Sequence, residues 1–392
     1  MFNFVVYFYF SMAAFHFIFF STLLFKYRKR HLLTQKILAD EMQAHLAPVK
    51  PSGVSIIIPA KGVLPSFLKN LVSLIQQDYQ GHIEIIVAVK DESDPMVKFI
   101  KDFHFKNTDL RSLVIVAGGH DAGLNPKNSN LFRGFSKAKY EWIYLSDADI
   151  FLNPTHVREC VFAVKGNSKN YATAFTLNIG AENLGAKLES IGANYESPMF
   201  FLASALKRKF DIMSGGSMFF HKDLLKKAGG LEICLNTLTD DLVFGNAFSN
   251  AGEGGKLLSQ PAIENLKVQT FKAYRNRMVR WILIAKCFRP VIFAVAPFFW
   301  HWQWLLLASI ISQNRQVLAL TGAAMLLRVL GAMMSMLLLG SPKKDLSKVW
   351  VIFIYDFFVP INWIEALFRR EVEWNGNKLV LKSDGTLVPS LT

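Results

Sequence analysis

The stretch Ile143-Tyr-Leu-Ser-Asp-Ala-Asp149 decides the fold. Apolar residues make a short strand, and two acids spaced Asp-x-Asp follow at its carboxyl end. Carboxylates placed this way can converge on a divalent ion, and ligands of open α/β sheets bind at that end of the strands. The pattern upstream agrees. Residues 54–59, 83–89, 113–116 and 142–145 read as strands, and residues 68–77, 95–103 and 131–138 as the helices between them. Such alternation predicts an α/β domain with a Rossmann-like, mostly parallel sheet over residues 54–273.

Apolar runs flank this domain. The chain has 392 residues, 52% of them hydrophobic, and a mean hydropathy of +0.25, too apolar for an ordinary soluble enzyme. Residues 5–25 are nearly uncharged and long enough to cross a hydrocarbon core, which takes about 20 residues. No basic stretch precedes them and no small-residue cleavage site ends them, so they read as an anchor and not as a removed signal peptide. Lys26-Tyr-Arg-Lys-Arg-His31 follows, and basic flanks favour the cytosolic side. The predicted layout is an anchor with its basic flank (1–31), a linker helix (32–53), the α/β domain, a basic interfacial helix (274–289), membrane segments (290–370) and a tail (371–392). Three full crossings in the membrane segments would put the tail opposite the α/β domain, against the positive-inside preference of Lys343, Lys344, Arg369 and Arg370. One segment is therefore expected to be re-entrant, with 349–368, carrying Asp356, Pro360 and Asn362, as the candidate.

Composition excludes several classes. The net charge of +14 is spread along the chain without an aromatic-basic recognition module, which argues for anionic lipid headgroups and against nucleic acid. Three cysteines without Cys-x-x-Cys spacing indicate neither a zinc site nor a disulfide scaffold. About 200 polar-patterned residues between the apolar ends disfavour a transporter.

Polar clusters fall where the strands should end: Lys90-Asp-Glu-Ser-Asp94-Pro95, Gly118-Gly119 through Asn125-Pro-Lys-Asn-Ser-Asn130, Asp147-Ala-Asp149 and Thr239-Asp-Asp-Leu-Val-Phe-Gly245. Arg277-Met-Val-Arg280-Trp281 puts two guanidiniums three residues apart on one helical face, and Arg forks match phosphate oxygens. Each alone could be a turn or a solvated face. Their order, together with Ser214-Gly-Gly-Ser-Met218 and Ala228-Gly-Gly-Leu231, resembles the ceramide glucosyltransferases, membrane-bound inverting glycosyltransferases of the GT-A fold whose pattern hopanoid-linked bacterial relatives share.

The resemblance implies roles residue by residue. Asp94 would meet the uridine part of a UDP-sugar and Lys127 would help hold the nucleotide. Asp147 and Asp149 would be the metal pair, holding manganese or magnesium against the diphosphate; vertebrate members carry Gly at the position of Asp149. Asp241 would be the general base, with Asp240 as an acidic neighbour, and Arg277, Arg280 and Trp281 would close over the leaving diphosphate. Ceramide is the first expected acceptor. The family's ceramide-accepting members carry a His after the metal site, and Tyr195-Glu-Ser-Pro-Met199 has none, so a hopanoid or a glycerolipid stays open. A processive polysaccharide synthase is the enzyme alternative, disfavoured because Arg277 replaces the usual Gln and spans are few. A non-catalytic membrane sensor is the other class, disfavoured because Asp147 and Asp241 are both present.

Overall fold

Six consecutive buried residues, Val54–Pro59, form β1, and a sheet grows from both of its edges. The chain is described here from a computed structural model covering residues 2–43, 52–106, 112–374 and 377–389. Its central strands are β1, β2 (Ile83–Ala88), β3 (Ser112–Val116), β4 (Trp142–Leu145), β5 (Asn170–Thr173), β6 (Met218–His221) and β7 (Gly254–Leu257). Their spatial order is β3-β2-β1-β4-β6-β5-β7. Pairs β1–β2, β2–β3, β1–β4 and β5–β7 are parallel, while β6 runs antiparallel to both β4 and β5. The expected α/β class with a mostly parallel sheet is what the chain adopts. Continuous apolar strands buried on both faces are the signature of such sheets.

Local chemistry explains the elements. Glu84 lies inside β2 yet is satisfied, accepting hydrogen bonds from Ser55 Oγ (2.5 Å) and the Lys139 N–H (2.6 Å). The helix expected at 131–138 starts earlier, at Pro126–Phe135, because the Asn125 side chain caps it and proline is suited to a first helical position. Gly134 lets this helix lie close on β1, where a Cβ would come within 2.6 Å of Ile57. That packing fixes Lys127, in the first turn, at the carboxyl edge of the sheet.

Two compact units are present. One comprises Arg30–Leu177, Ala203–Asn265 and Glu371–Thr392 and contains the sheet. The other comprises Met1–Lys29, Asn178–Leu202 and Leu266–Arg370. The first helix runs unbroken over Phe2–Gln43, so no break separates anchor from linker at residue 31; residues 44–51 lie outside the described residues. The end expected for the linker helix, before Pro51, falls on them.

Among the described residues three helices are long and apolar enough to cross a membrane: Phe2–Asp40, Arg315–Leu339 and Lys343–Phe368. A further pair, Phe271–Phe288 and Pro290–Phe299, is bent by 120°. The sharp break therefore falls at Arg289-Pro290 and not within 349–368. A residue before proline is driven out of the helical region, and Arg289 has φ −140° and ψ 56°. Pro360, by contrast, is accommodated inside the helix Ile352–Phe368.

Within this unit Arg328 is the central charge. It meets both oxygens of Asp356 (2.6 and 2.9 Å) and Oε1 of Glu196 (2.5 Å), and its guanidinium lies 4.4 Å from the centre of the Tyr195 ring. Trp302 Nε1 donates to Asp356 Oδ2 at 2.8 Å. Charges buried among apolar helices persist only when matched in this way.

The sheet-bearing unit is left at Asn265 and re-entered at Glu371. A folded unit occupies one side of a bilayer, so the intervening chain crosses an even number of times. The two long helices would supply an even number if the bent pair is a re-entrant loop and not a broken span. Cysteines placed at the exposed positions Asp102 and Ser383, in a Cys287→Ser background, should react with a membrane-impermeant maleimide from the same face of sealed vesicles. Labelling from opposite faces would refute an even number of crossings.

Candidate active site

The carboxyl edge of the sheet gathers Asp147, Asp240 and Asp241 around the ammonium group of Lys127. Lys127 Nζ lies 2.7 Å from Asp147 Oδ1 and 3.0 Å from Asp240 Oδ2. Asp147 is delivered by the end of β4, Lys127 by the capped helix, and Asp240 and Asp241 by the start of the helix Asp241–Ala251. Burial works against the charged ammonium, but Asp147 and Asp240 outweigh it and hold Lys127 protonated well above the ordinary lysine range.

Asp241 is held by three donors: the Thr239 hydroxyl and the Leu242 N–H (2.7 Å) on Oδ1, and the Gly215 N–H (3.2 Å) on Oδ2. Burial and the neighbouring Asp240 push its carboxyl from an ordinary 3.8 up to about 6, against the opposing pull of Thr239 and Lys127. A carboxylate that takes up a proton near neutral pH suits a general base.

Gly215 is the hub of this arrangement. A Cβ there would stand 3.0 Å from Asp147 Oδ2 and 3.1 Å from Lys127 Nζ, close enough that those two charged groups would have to give by a few tenths of an ångström. Its turn is braced from below: Ser217 N–H donates to Ser214 O, Thr173 Oγ1 donates to Ser217 O, and His156 Nε2 sits 3.1 Å from both Ser217 Oγ and the Tyr144 hydroxyl. Burial lowers the His156 pKa to about 3, so this brace stays neutral across the working range.

A divalent cation is implied by the resemblance, and the residues present fit one. Three carboxylates face a single ammonium, the Asp147 side chain is 34% exposed, and Gly215 leaves a cradle that a Cβ would fill. Magnesium-type sites use one or two carboxylates, completing their shells with water and substrate phosphates. No group of three or more His, Cys, Asp or Glu converges on one ion position among the described residues. Asp149, partly exposed two residues beyond Asp147, is the second candidate ligand.

Asp94 lies at the same sheet edge in a different setting. Its carboxylate accepts from the Gly62 N–H (2.9 and 3.1 Å) and the Met96 N–H (2.8 Å), tying the loop after β1 to the helix Pro95–Lys106. Arg277, Arg280 and Trp281 belong to the other unit, on the helix Phe271–Phe288. There Arg277 pairs with the fully buried Glu189, and Trp281 is 40% exposed.

Gly215, Thr239, Glu189 and Asn125 were given no role by sequence reasoning. The doubled glycine ahead of β6 and the Asn-Pro start of the Lys127 helix were the available signals. Glu189 had none, since its partner lies 88 residues away.

The model of glycosyl transferase family 21 matches residues 13–387. Ceramide glucosyltransferase 3 of Caenorhabditis elegans is 23% identical over 344 residues, 86% of this chain and 74% of that protein. Ceramide glucosyltransferase 1 of the same organism is 24% identical over 246 residues, and the aligned part spans about half of that relative's length (52%). A mannosyltransferase from Pyrobaculum calidifontis, solved with GDP-Man and Mn2+, aligns over 89% of this chain and 97% of its own at 15% identity and a TM-score of 0.47.

The raised Asp241 pKa has a sign that stability measurements can read. The folded state binds this proton more tightly than the unfolded chain does. Its contribution to stability is complete below about 3.8 and is lost as pH rises through about 6. Asp241→Asn removes that loss. At pH 8 the variant should melt several degrees above the parent, a gain of about 1–2 kcal/mol after allowing for partial exposure, and the difference should vanish at pH 4. A variant that is no more stable at pH 8 would contradict the burial of this charge.

Proposed function

The chain belongs to glycosyl transferase family 21, and we propose that it moves a hexose from a UDP-sugar to the hydroxyl of a membrane lipid with inversion, ceramide being the first acceptor. The observation carrying this reading is Asp241: a carboxyl with its pKa near 6, fixed by Gly215 and Thr239 and set beside Asp240 and Lys127 at the ligand-binding edge of the sheet. The membrane helices argue for a lipid acceptor. Relatives named ceramide glucosyltransferase support ceramide, at 23–24% identity. The basic stretch 26–31 favours the sheet-bearing unit on the cytosolic side.

In the proposed reaction Asp241 takes the proton of the acceptor hydroxyl as its oxygen attacks the anomeric carbon. The bond from that carbon to the diphosphate breaks, and UDP departs with the electron pair. One displacement with one base and no carboxylate nucleophile inverts the anomeric centre. Lys127 places a fixed positive charge at this edge for the developing charge of the leaving group. Asp147 and Asp149 would hold a divalent cation, which when bound supplies further neutralisation of the diphosphate. Asp94 would meet the uridine part of the donor, and Arg277, Arg280 and Trp281 would act on the diphosphate, their guanidiniums suited to phosphate oxygens.

Transfer from radiolabelled UDP-sugars to ceramide, a hopanoid polyol and diacylglycerol in detergent, with manganese or chelator, tests the reading. Metal-dependent product on ceramide is the expected result; product on another lipid alone would keep the chemistry and change the acceptor, and no product on any lipid would overturn it. Asp241→Asn should lower kcat by about 10²–10⁴ while UDP affinity stays within about twofold of the parent; lost UDP binding in a folded variant would contradict the base role. For the parent, kcat should climb as pH rises through about 6 and level off above it, and Asp240→Asn should move that midpoint down by removing a like charge. Asp147→Asn should raise the manganese concentration needed for half activity, and an unchanged requirement would remove Asp147 from the metal site.

A further inference from the structure

After the last apolar helix the chain returns to the sheet-bearing unit and folds as a three-stranded meander: β8 (Glu371–Trp374), β9 (Asn377–Leu381) and β10 (Leu387–Pro389). It is packed and not a loose tail, with Val372, Leu379, Leu381 and Leu387 buried. The turn between β9 and β10 is closed by Lys382 N–H on Thr386 O and Gly385 N–H on Lys382 O, and Gly385 holds φ +85°. The outer side of this turn is paired to the chain segment that leads into the acidic pair. Leu238 N–H donates to Gly385 O (3.1 Å), Leu387 N–H donates to Asn236 O (2.7 Å), and Thr237 faces Thr386 between them.

The same segment is gripped from its other side by the Lys127 loop. Asn236 Oδ1 accepts from the Leu124 N–H (2.8 Å), Asn125 donates from its side chain to Thr237 O and from its backbone to Leu235 O, and Asn128 Nδ2 donates to Cys234 O (2.6 Å). Residues 234–239 belong to no strand of the main sheet. Besides local turn bonds such as Thr237 N–H to Cys234 O, their backbone partners are the Lys127 loop on one flank and the C-terminal turn on the other, and Asp240 and Asp241 follow immediately.

We propose that the C-terminal turn 382–386 is a positioning element of the active site: by clamping residues 236–238 against the Lys127 loop, it sets where Asp240 and Asp241 stand relative to Lys127 and Gly215. This rests on the reading of Asp241 as the base. A base displaced by about an ångström loses much of its rate, on the order of 10²-fold. Asp94, the proposed uridine contact, is held by Gly62 and Met96 and not by the clamp, so the effect falls mainly on kcat.

The test uses the full chain in detergent with two variants that loosen the clamp differently. Gly385→Val puts a β-branched residue where φ is +85°, and Leu387→Pro removes the N–H that Asn236 accepts. Both should lower kcat about 10- to 100-fold, leave UDP affinity within about threefold, and shift the midpoint of the pH–kcat profile, because the Asp240–Asp241 and Gly215 contacts that set it have moved. Thr237 and Thr386 form a non-hydrogen-bonded pair, whose Cα atoms in such geometry lie about 4.5 Å apart, within disulfide range. In the Gly385→Val background, oxidising a Thr237→Cys/Thr386→Cys pair should regain kcat relative to the reduced protein. Parental kcat in both loosened variants, or a kcat loss that only tracks the UDP-binding fraction with an unmoved pH midpoint, overturns the proposal, as does a formed cross-link without regain. Absence of transfer by the parent chain on any donor and lipid would instead refute the function from which the clamp takes its meaning.

Discussion

One ammonium group determines where the site can be. Lys127 is the cation that makes it possible for Asp147 and Asp240 to end so close together, and each of the three is committed to its place by separate packing. Gly134 seats the Lys127 helix on β1, the Asn125 cap starts that helix at the right residue, and the register of β4 against β1 puts Asp147 just past the sheet edge. Without the ammonium the carboxylates would repel across a half-buried pocket. Breaking a buried pair by removing one partner costs about 3–5 kcal/mol, and somewhat less here because Asp147 is a third exposed.

The same constraint explains the glycine. Asp147 and Lys127 crowd the position a Cβ of residue 215 would take, and Asp241 draws a donor from that direction. A backbone N–H is the one group that can approach without bulk. The turn that carries it is then braced by neutral partners, among them a histidine whose depressed pKa keeps it from adding charge. Charge is concentrated on one side of the turn and excluded from the other.

What the sequence made legible was local. Runs of apolar residues ended by Asp, Asn, Gly and Pro located β1 to β4 and the clusters at their ends, because burial of a parallel strand and the chemistry of the turn after it are both written within ten residues. Where two local signals compete the boundary shifts: the apolar pattern predicts a helix over 131–138, and the Asn125-Pro126 start moves it to Pro126–Phe135. Long-range partners left no trace. Residues 178–202 read as part of the α/β domain, but they group with the membrane helices, where Glu189 meets Arg277 and Asn194 Nδ2 and Oδ1 bond Asn178. The C-terminal residues read as a tail, because nothing in their pattern reports that residue 387 pairs with residue 236. Of the Asp-x-Asp pair, Asp147 faces Lys127 and Asp240, and Asp149 lies partly exposed in the turn that follows.

The charge clusters around Arg328 and around Lys127 differ in their degree of neutralisation. Around Arg328 the geometry is saturated: a guanidinium fork takes both oxygens of Asp356 and one of Glu196, an aromatic face covers it, and an indole N–H adds a further donor. Such a set resists change, since moving any member strands a charge among apolar helices, and that suits a pin between membrane segments. Around Lys127 one cation faces Asp147, Asp240 and Asp241, Asp147 keeps a third of its surface, and Asp241 retains a raised proton affinity. An under-neutralised cluster of this kind carries a standing cost that a second cation or a proton relieves. Relief on arrival of a ligand is the property that a binding and proton-accepting site requires, and the saturated cluster lacks it.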